Sequence, residues 1–255
     1  MTNRAVILAA GRGSRLNRLT ADRPKCLVEL GGQPLLHWQL AALRAAGMDE
    51  IGVVGGYRGD MLKARDLTYF GNSRWAETNM VRSLACAATW LRAGPVVVSY
   101  ADIFYSPEIV VNLMRTDADL VVAYDTNWHA LWSARFAEPL ADAETFSAGA
   151  DGTLDEIGEK PQSIEQVRGQ YMGLLKFEPN GWHAVEELFS ALGEHEIDKM
   201  DMTGMLKRLI ARGETITAVP NTAPWGEIDQ ESDLDLYDGW IKNGTLAVPA
   251  QGTTS

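Results

Sequence analysis

Cysteine is scarce in this chain of 255 residues, with only Cys26 and Cys86. Two thiols make no disulfide framework, so a reducing compartment, the cytoplasm, is expected. No apolar run approaches the roughly 20 residues of a membrane span. The opening residues lack the pattern of a signal peptide, which points the same way. Positive charge is the minority sign, with 23 Lys and Arg against 34 Asp and Glu and a formal net of −11. That balance argues against a nucleic-acid partner. Histidine is rare too: His37, His129, His183 and His195 show no metal-ligand spacing, and no Ser-His-Asp or Cys-His arrangement can be inferred. Repeats and a clear domain linker are also missing, so residues 1–243 read as one domain. Residues 244–255 have nothing obvious to bury and are expected to form a mobile tail.

What is there is ordinary globular material, 46% hydrophobic and 22% charged. Short apolar runs at 5–10, 51–54, 95–100 and 120–124 alternate with helical periodicity at 35–46, 78–91 and 106–115. This alternation predicts an α/β fold with a mostly parallel sheet and helices on both faces. From residue 127 the rhythm changes, and residues 127–178 are expected to be an insertion covering the site, with strands at 154–157 and 169–177. Helices at 58–65, 181–192, 202–212 and 232–242 and strands at 67–70, 216–219 and 225–228 complete the prediction.

The most informative stretch is the first thirty residues. A buried strand ends in Leu8-Ala9-Ala10-Gly11-Arg12-Gly13-Ser14-Arg15-Leu16, followed by Pro24-Lys25. Glycines let backbone N–H groups approach a phosphate closely, and Arg12, Arg15, Arg18, Arg23 and Lys25 add local positive charge. Together these features read as a polyphosphate cradle. A dinucleotide fingerprint would require glycine where Leu16 stands, and the Walker-type G-x-x-x-x-G-K-[ST] loop is absent. Ligands on parallel sheets bind at the carboxyl ends of strands, where this loop, Gly55 and Asp102 all fall.

The L-A-A-G-x-G-S-R-L…P-K order resembles the signature of nucleotidyltransferases that join an NTP to a phosphorylated small molecule and release pyrophosphate. Further blocks extend the likeness over residues 4–240: Thr78-Asn79-Met80-Val81, Ser99-Tyr100-Ala101-Asp102-Ile103, Leu131-Trp132-Ser133-Ala134-Arg135-Phe136, Gln170-Tyr171-Met172-Gly173 and Trp225-Gly226-Glu227-Ile228-Asp229. These are similar to the small cytidylyltransferases that activate phosphocholine, phosphonates or phosphoglutamine.

The resemblance implies a three-layer, Rossmann-like nucleotidyltransferase fold with a mixed, mostly parallel sheet. It also implies CTP as donor, a small anionic acceptor, and Mg²⁺ shared by Asp102 and Asp229, with Glu227 as the alternative ligand. Residues 8–14 (Leu8, Ala9, Ala10, Gly11, Arg12, Gly13 and Ser14), with Gly55, Asn79 and Ala101, are expected on the nucleotide. Lys25 and Arg15 are expected on the triphosphate. Lys160, in Glu159-Lys160-Pro161, is expected on the acceptor's phosphate, where Arg135 would add a bidentate clamp and Trp132 a wall. A homodimer is one assembly that this likeness allows. A sugar-1-phosphate uridylyl- or thymidylyltransferase and a non-catalytic nucleotide sensor are the alternatives. A glycosyltransferase fits less well, because Tyr100 occupies the first position of its D-x-D metal motif.

Overall fold

The structure, a computed structural model, describes residues 2–63 and 66–249. The strands are β1 (Arg4–Ala9), β2 (Glu29–Leu30), β3 (Gln33–Pro34), β4 (Glu50–Gly55), β5 (Thr68–Gly71), β6 (Val96–Tyr100), β7 (Ile103–Tyr105), β8 (Leu120–Asp125), β9 (Phe146–Ala148), β10 (Leu154–Ile157), β11 (Gln170–Phe177), β12 (Thr217–Asn221) and β13 (Trp225–Glu227). The α-helices are α1 (Leu35–Ala45), α2 (Met80–Ala85), α3 (Ala88–Leu91), α4 (Pro107–Arg115), α5 (Trp128–Arg135), α6 (Pro179–Ser190), α7 (Glu194–Lys199), α8 (Met202–Ala211) and α9 (Glu231–Lys242).

Seven strands form the central sheet in the order β12-β8-β11-β6-β1-β4-β5. All neighbours run parallel except β11, which is antiparallel to both β6 and β8. Successive side chains of β1 point to opposite faces. Ala5, Ile7 and Ala9 enter one apolar layer with α1 and α4, while Val6 and Leu8 enter the other with α2, α6 and α8. The architecture is therefore the expected three-layer α/β sandwich with a mixed, mostly parallel sheet.

Helix α1 shows how the sequence builds a layer. Leu36, Leu40 and Leu43 recur at four- and three-residue spacings on its buried side. Each such leucine contributes about 1.5–3 kcal/mol of burial. Gly47, at φ +84°, closes the helix in the left-handed conformation that a side chain would strain.

Four expectations change. The stretch at 169–177 belongs to no covering insertion: β11 lies in the middle of the sheet, and all eight of its residues are buried. The cover is accordingly narrower, built from α5 (a stretch that shows no strand or helix pattern in the sequence), the turn at Pro139–Ala141 and the β9–β10 hairpin. The helix expected over 78–91 breaks into α2 and α3, and the one expected over 58–65 is a single 3₁₀ turn at Gly59–Leu62, with 64 and 65 outside the described residues. The tail is tied down as far as residue 249. Leu246 is buried in the core, Val248 packs beside it, and Gln33 Nε2 donates to the Pro249 carbonyl at 3.0 Å. Residues 250–255, the rest of the expected mobile tail, lie outside the described residues. No helix among the described residues is long and apolar enough to cross a membrane.

Candidate active site

Strand β1 delivers the glycine loop to the carboxyl edge of the sheet. Gly13 adopts φ +67°, and the chain turns at once into a 3₁₀ helix, Ser14–Thr20. The Thr20 hydroxyl donates to the Gly13 carbonyl at 3.0 Å, and Leu16 is fully buried beneath the turn. Pro24, extended and lacking an N–H, leads into a second 3₁₀ turn, Lys25–Leu27. The aliphatic stem of Lys25 then lies across Gly13: a Cβ there would come within 2.9 Å of Lys25 Cδ. Glycine is needed at 13 on both counts, backbone and contact.

Lys25 is only 9% exposed, and its ammonium donates to Asp102 Oδ2 at 2.7 Å and to Asp229 Oδ1 at 2.5 Å. Burial alone would lower its pKa. Asp102, Asp229 and Glu227 outweigh that penalty and hold the pKa well above the ordinary lysine value. Arg15 reaches the other oxygen of Asp229 at 2.5 Å.

Residues 102 and 229 meet because of a small ladder. Strands β7 and β13 pair antiparallel with Ile103 opposite Glu227, and the Ile228 N–H donates to the Asp102 carbonyl at 2.9 Å. Carboxylate oxygens of Asp102, Glu227 and Asp229 consequently lie within 4.8 Å of one another. Burial, followed by the Asp102 and Asp229 charges, pushes the Glu227 carboxyl up to about 8, while Arg135 and Lys25 pull against the rise. Asp102 Oδ1 is buried without a hydrogen-bond partner. Hard oxygen donors in this number suit a divalent cation, and the orphaned oxygen is the mark of a ligand still to come.

Two cavities flank the acidic trio. One, of about 290 Å³, is lined by the glycine loop, Lys25, Ala101 and Asp102, and opposite them by Trp75, Asn79, Met80 and Ser83. The second, of about 320 Å³, is lined by Trp132, Glu144, Gln170, Tyr171, Trp225, Glu227 and Asp229. Arg15, Met80 and Tyr100 belong to both, so the cavities share a wall. In the second, β11 loses its regular register between Tyr171 and Leu175, with Gly173 at φ +71° packed on the Tyr100 ring. Such a bulge re-aims side chains, here towards the cavity.

Residues 5–161 match the model of the MobA-like NTP transferase domain. The chain belongs to that family. Membership makes it an enzyme of the nucleotidyltransferase class. Among relatives, the CTP:phosphoglutamine cytidylyltransferase of Campylobacter jejuni is 37% identical over 248 residues, covering 91% of this chain and 98% of that protein. Two solved structures share the fold at lower identity. The inositol-1-phosphate CTP transferase of T. maritima superposes with a TM-score of 0.75 at 16% identity, covering 94% of this chain and 97% of that one. The CTP:phosphocholine cytidylyltransferase of Streptococcus pneumoniae superposes with a TM-score of 0.70 at 21% identity, covering 94% and 100% respectively.

Within this transferase, the structure brings Lys25, Arg15, Asp102, Asp229 and the fallback Glu227 together around one point. Leu8, Ala9, Ala10, Gly11, Gly13, Ser14, Asn79 and Ala101 all line the first cavity. Asn79 is at the same time the N-cap of α2, accepting from the Met80 N–H at 2.8 Å.

Four expected residues stand elsewhere. Arg12 lies over the Tyr57 ring, outside both cavities. Gly55 is required by packing, since a Cβ there would meet Tyr69 at 2.5 Å, and it faces neither cavity. Lys160 bonds the Leu140 carbonyl at 2.7 Å and that of Ala141, holding a turn of the cover. Arg135 is the clearest correction. Its side chain has 0% exposure, is forked onto Asp233 at 3.0 and 3.2 Å, and reaches Glu227 at 3.3 Å. It cannot clamp an acceptor and instead orients the acidic trio from behind. Among the lining residues given no role by sequence reasoning, Trp75 and Ser83 lie in no motif, while Met80 and Glu144 fall in blocks of the family resemblance.

Proposed function

We propose that this transferase is a Mg²⁺-dependent cytidylyltransferase that couples CTP to a small phosphorylated or phosphonate acceptor and releases pyrophosphate. The observation that carries this reading is the pair of cavities sharing a wall, with a lysine and three carboxylates at their junction. A reaction between two substrates requires such a layout. The choice of CTP draws support from the named activity of the 37% identical relative.

The first cavity would take the nucleotide. Backbone N–H groups of the Gly11–Ser14 turn face its phosphates, and Arg15 and Lys25 oppose their charge. The acceptor, held in the second cavity, attacks the α-phosphorus with a phosphate or phosphonate oxygen. The new P–O bond forms as the bond to the leaving pyrophosphate breaks. Lys25, withdrawn from its carboxylate partners, would stabilise charge developing at that phosphorus as a mobile point charge. Asp102 and Asp229, with Glu227, would hold the Mg²⁺, which supplies neutralisation of triphosphate charge when bound. Residues 1–243 act in this reading as one catalytic unit.

The test pairs each of the four NTPs with phosphocholine, aminoethylphosphonate, phosphoglutamine and hexose 1-phosphates, reading pyrophosphate release with and without Mg²⁺. CTP-selective release with phosphocholine, aminoethylphosphonate or phosphoglutamine supports the proposal. Turnover of UTP or dTTP with a hexose 1-phosphate would replace it with the sugar-nucleotide alternative. CTP binding with no release under any acceptor would replace it with the sensor. Asp102→Asn is expected to abolish release while leaving the circular dichroism of the fold unchanged.

A further inference from the structure

Helix α1 buries one primary amide. The other buried side chains of its face, Leu35, Leu36, Trp38, Leu40, Ala42 and Leu43, are hydrophobic, whereas Gln39 is polar and has no exposure at all. Its Nε2 donates to the Tyr100 carbonyl at 2.7 Å and to the Ile103 carbonyl at 2.6 Å. Both acceptors are backbone groups, and they bracket Ala101-Asp102. The Gln39 Oε1 has no hydrogen-bond partner among the described residues. Burying an amide with its acceptor unmet is unfavourable, and leucine or methionine would suit this apolar face better. What the amide supplies in return is a hold on residues 100–103.

The local topology explains why that hold is needed. Strand β6 pairs with β1 as far as Tyr100, but its ladder with β11 stops at Ser99. The chain then turns through Ala101 and Asp102 into β7. There the Ile228 N–H donates to the Asp102 carbonyl, so the alternation of an antiparallel pair turns the Ile103 carbonyl away from β13. Among the described residues no other strand pairs with β7. Helix α1 packs on β7 instead, with the Trp38 and Phe104 ring centroids 5.4 Å apart, and Gln39 reaches the free carbonyl. The turn so held carries the Asp102 carboxylate, which accepts from Lys25 at 2.7 Å. The other aspartate is held by another helix: Asp233 of α9 accepts from the Asp229 N–H at 2.8 Å. Each member of the pair is thus located, through its backbone, by a buried polar side chain from a separate helix.

We propose that Gln39 is a positioning residue of the active site: by pinning the carbonyls of Tyr100 and Ile103, it fixes the Asp102 carboxylate at the spacing from Asp229 that lets the two share a divalent cation. Gln39 lines neither cavity, so it acts through the turn and not on a substrate. The metal part of this inference rests on the transferase reading, with Asp102 and Asp229 as ligands, whereas the hold on the turn does not. Gln39→Met keeps the length of the side chain and removes both donors. The turn then relaxes, and Asp102 shifts against Lys25 and Asp229 although every charged group is still present.

The experiment compares the wild type, Gln39→Met and Leu43→Ala as full chains. Leu43→Ala opens a void in the same helix and removes no hydrogen bond, so it reports what lost packing alone does. Calorimetric Mg²⁺ binding is expected to weaken about tenfold in Gln39→Met and to stay within about twofold in Leu43→Ala. In EDTA, hydrogen exchange of the segment 101–105 is expected to quicken about tenfold in Gln39→Met alone. Its kcat should fall roughly tenfold while KM for CTP moves by less than about threefold. Gln39→Asn, whose amide is one methylene short, is expected to give the same pattern, and it decides the question if Gln39→Met does not fold. Mg²⁺ affinity and exchange no different from those of Leu43→Ala would overturn the proposal and leave Gln39 as core packing. Quickened exchange with no Mg²⁺ binding even by the wild type would instead sink the metal reading of Asp102 and Asp229, and the hold on the turn would stand.

Discussion

Lys25 is the counter-ion of the acidic trio in the ligand-free protein, and its removal has a cost in stability as well as in turnover. Lys25→Ala removes the cation shared by Asp102 and Asp229, leaving Arg15 on Asp229 and Arg135 on Glu227 as partial compensation. A loss of about 2–3 kcal/mol is expected in EDTA, with a smaller loss in millimolar Mg²⁺, both read by thermal melting. An equal loss in the two buffers would show that the trio does not take the cation. Gly13→Ala combines a left-handed backbone with a clash on the Lys25 stem. It is expected to cost about 1–2 kcal/mol and to lower kcat at least tenfold, through a misplaced ammonium. Glu227 provides the pH dependence. Its carboxyl keeps its proton to about 8 in the fold, against 4.5 for an ordinary glutamate. Between those values the folded chain binds the extra proton, so this contribution to stability is lost as pH rises through the window. Cation binding at neutral pH should therefore release a proton and tighten as pH rises towards 8, which calorimetry in buffers of different ionisation enthalpy measures directly. No proton release at neutral pH would contradict the raised value.

Among the elements, α5 and α9 are joined by a buried device that also steadies the site. Asp233, in the first turn of α9, accepts from the Asp229 and Gln230 N–H groups at 2.8 and 3.0 Å and from Arg135 on α5. Asp233→Ala is expected to cost about 3–5 kcal/mol, by stranding the buried guanidinium and removing the cap of α9. A melting temperature unchanged from wild type would refute that role. The same pair explains an error of sequence reading. An arginine in the Leu131–Phe136 block reads as a ligand clamp because its partners lie about a hundred residues downstream. The glycine loop and Lys25 are legible in the residue types themselves, because few residues let a backbone approach a phosphate, whereas the pairing of Asp102 with Asp229 comes from the family resemblance alone. Strand β11 was assigned correctly as a strand but to the wrong layer, since a run of this kind (Gln170–Phe177) does not say which neighbours it will pair with. Trp75 and Ser83 left no signal at all. They line the first cavity because of where the segment around α2 lies, and nothing in their residue types demands it.

At the scale of the whole molecule, the chain returns to where it began. Leu246 and Val248 cover the β2–β3 hairpin near Trp38 and Gly31, immediately after the turn that carries Lys25. Replacing both by alanine is expected to cost about 2–3 kcal/mol, roughly 4–10 °C in melting temperature for a chain of this length. A melting curve that does not move would restore the view of this segment as idle. The two cavities divide the polypeptide differently. Those residues that line only the first lie between positions 8 and 102, whereas those that line only the second lie between 103 and 229. If the first cavity holds the donor and the second the acceptor, as proposed above, drift in the later half would reshape the acceptor's cavity while most of the donor's lining, built earlier in the chain, stays intact. A gene duplicate of this protein could acquire a new cargo by local change in α5, the β9–β10 cover and the bulge of β11 alone.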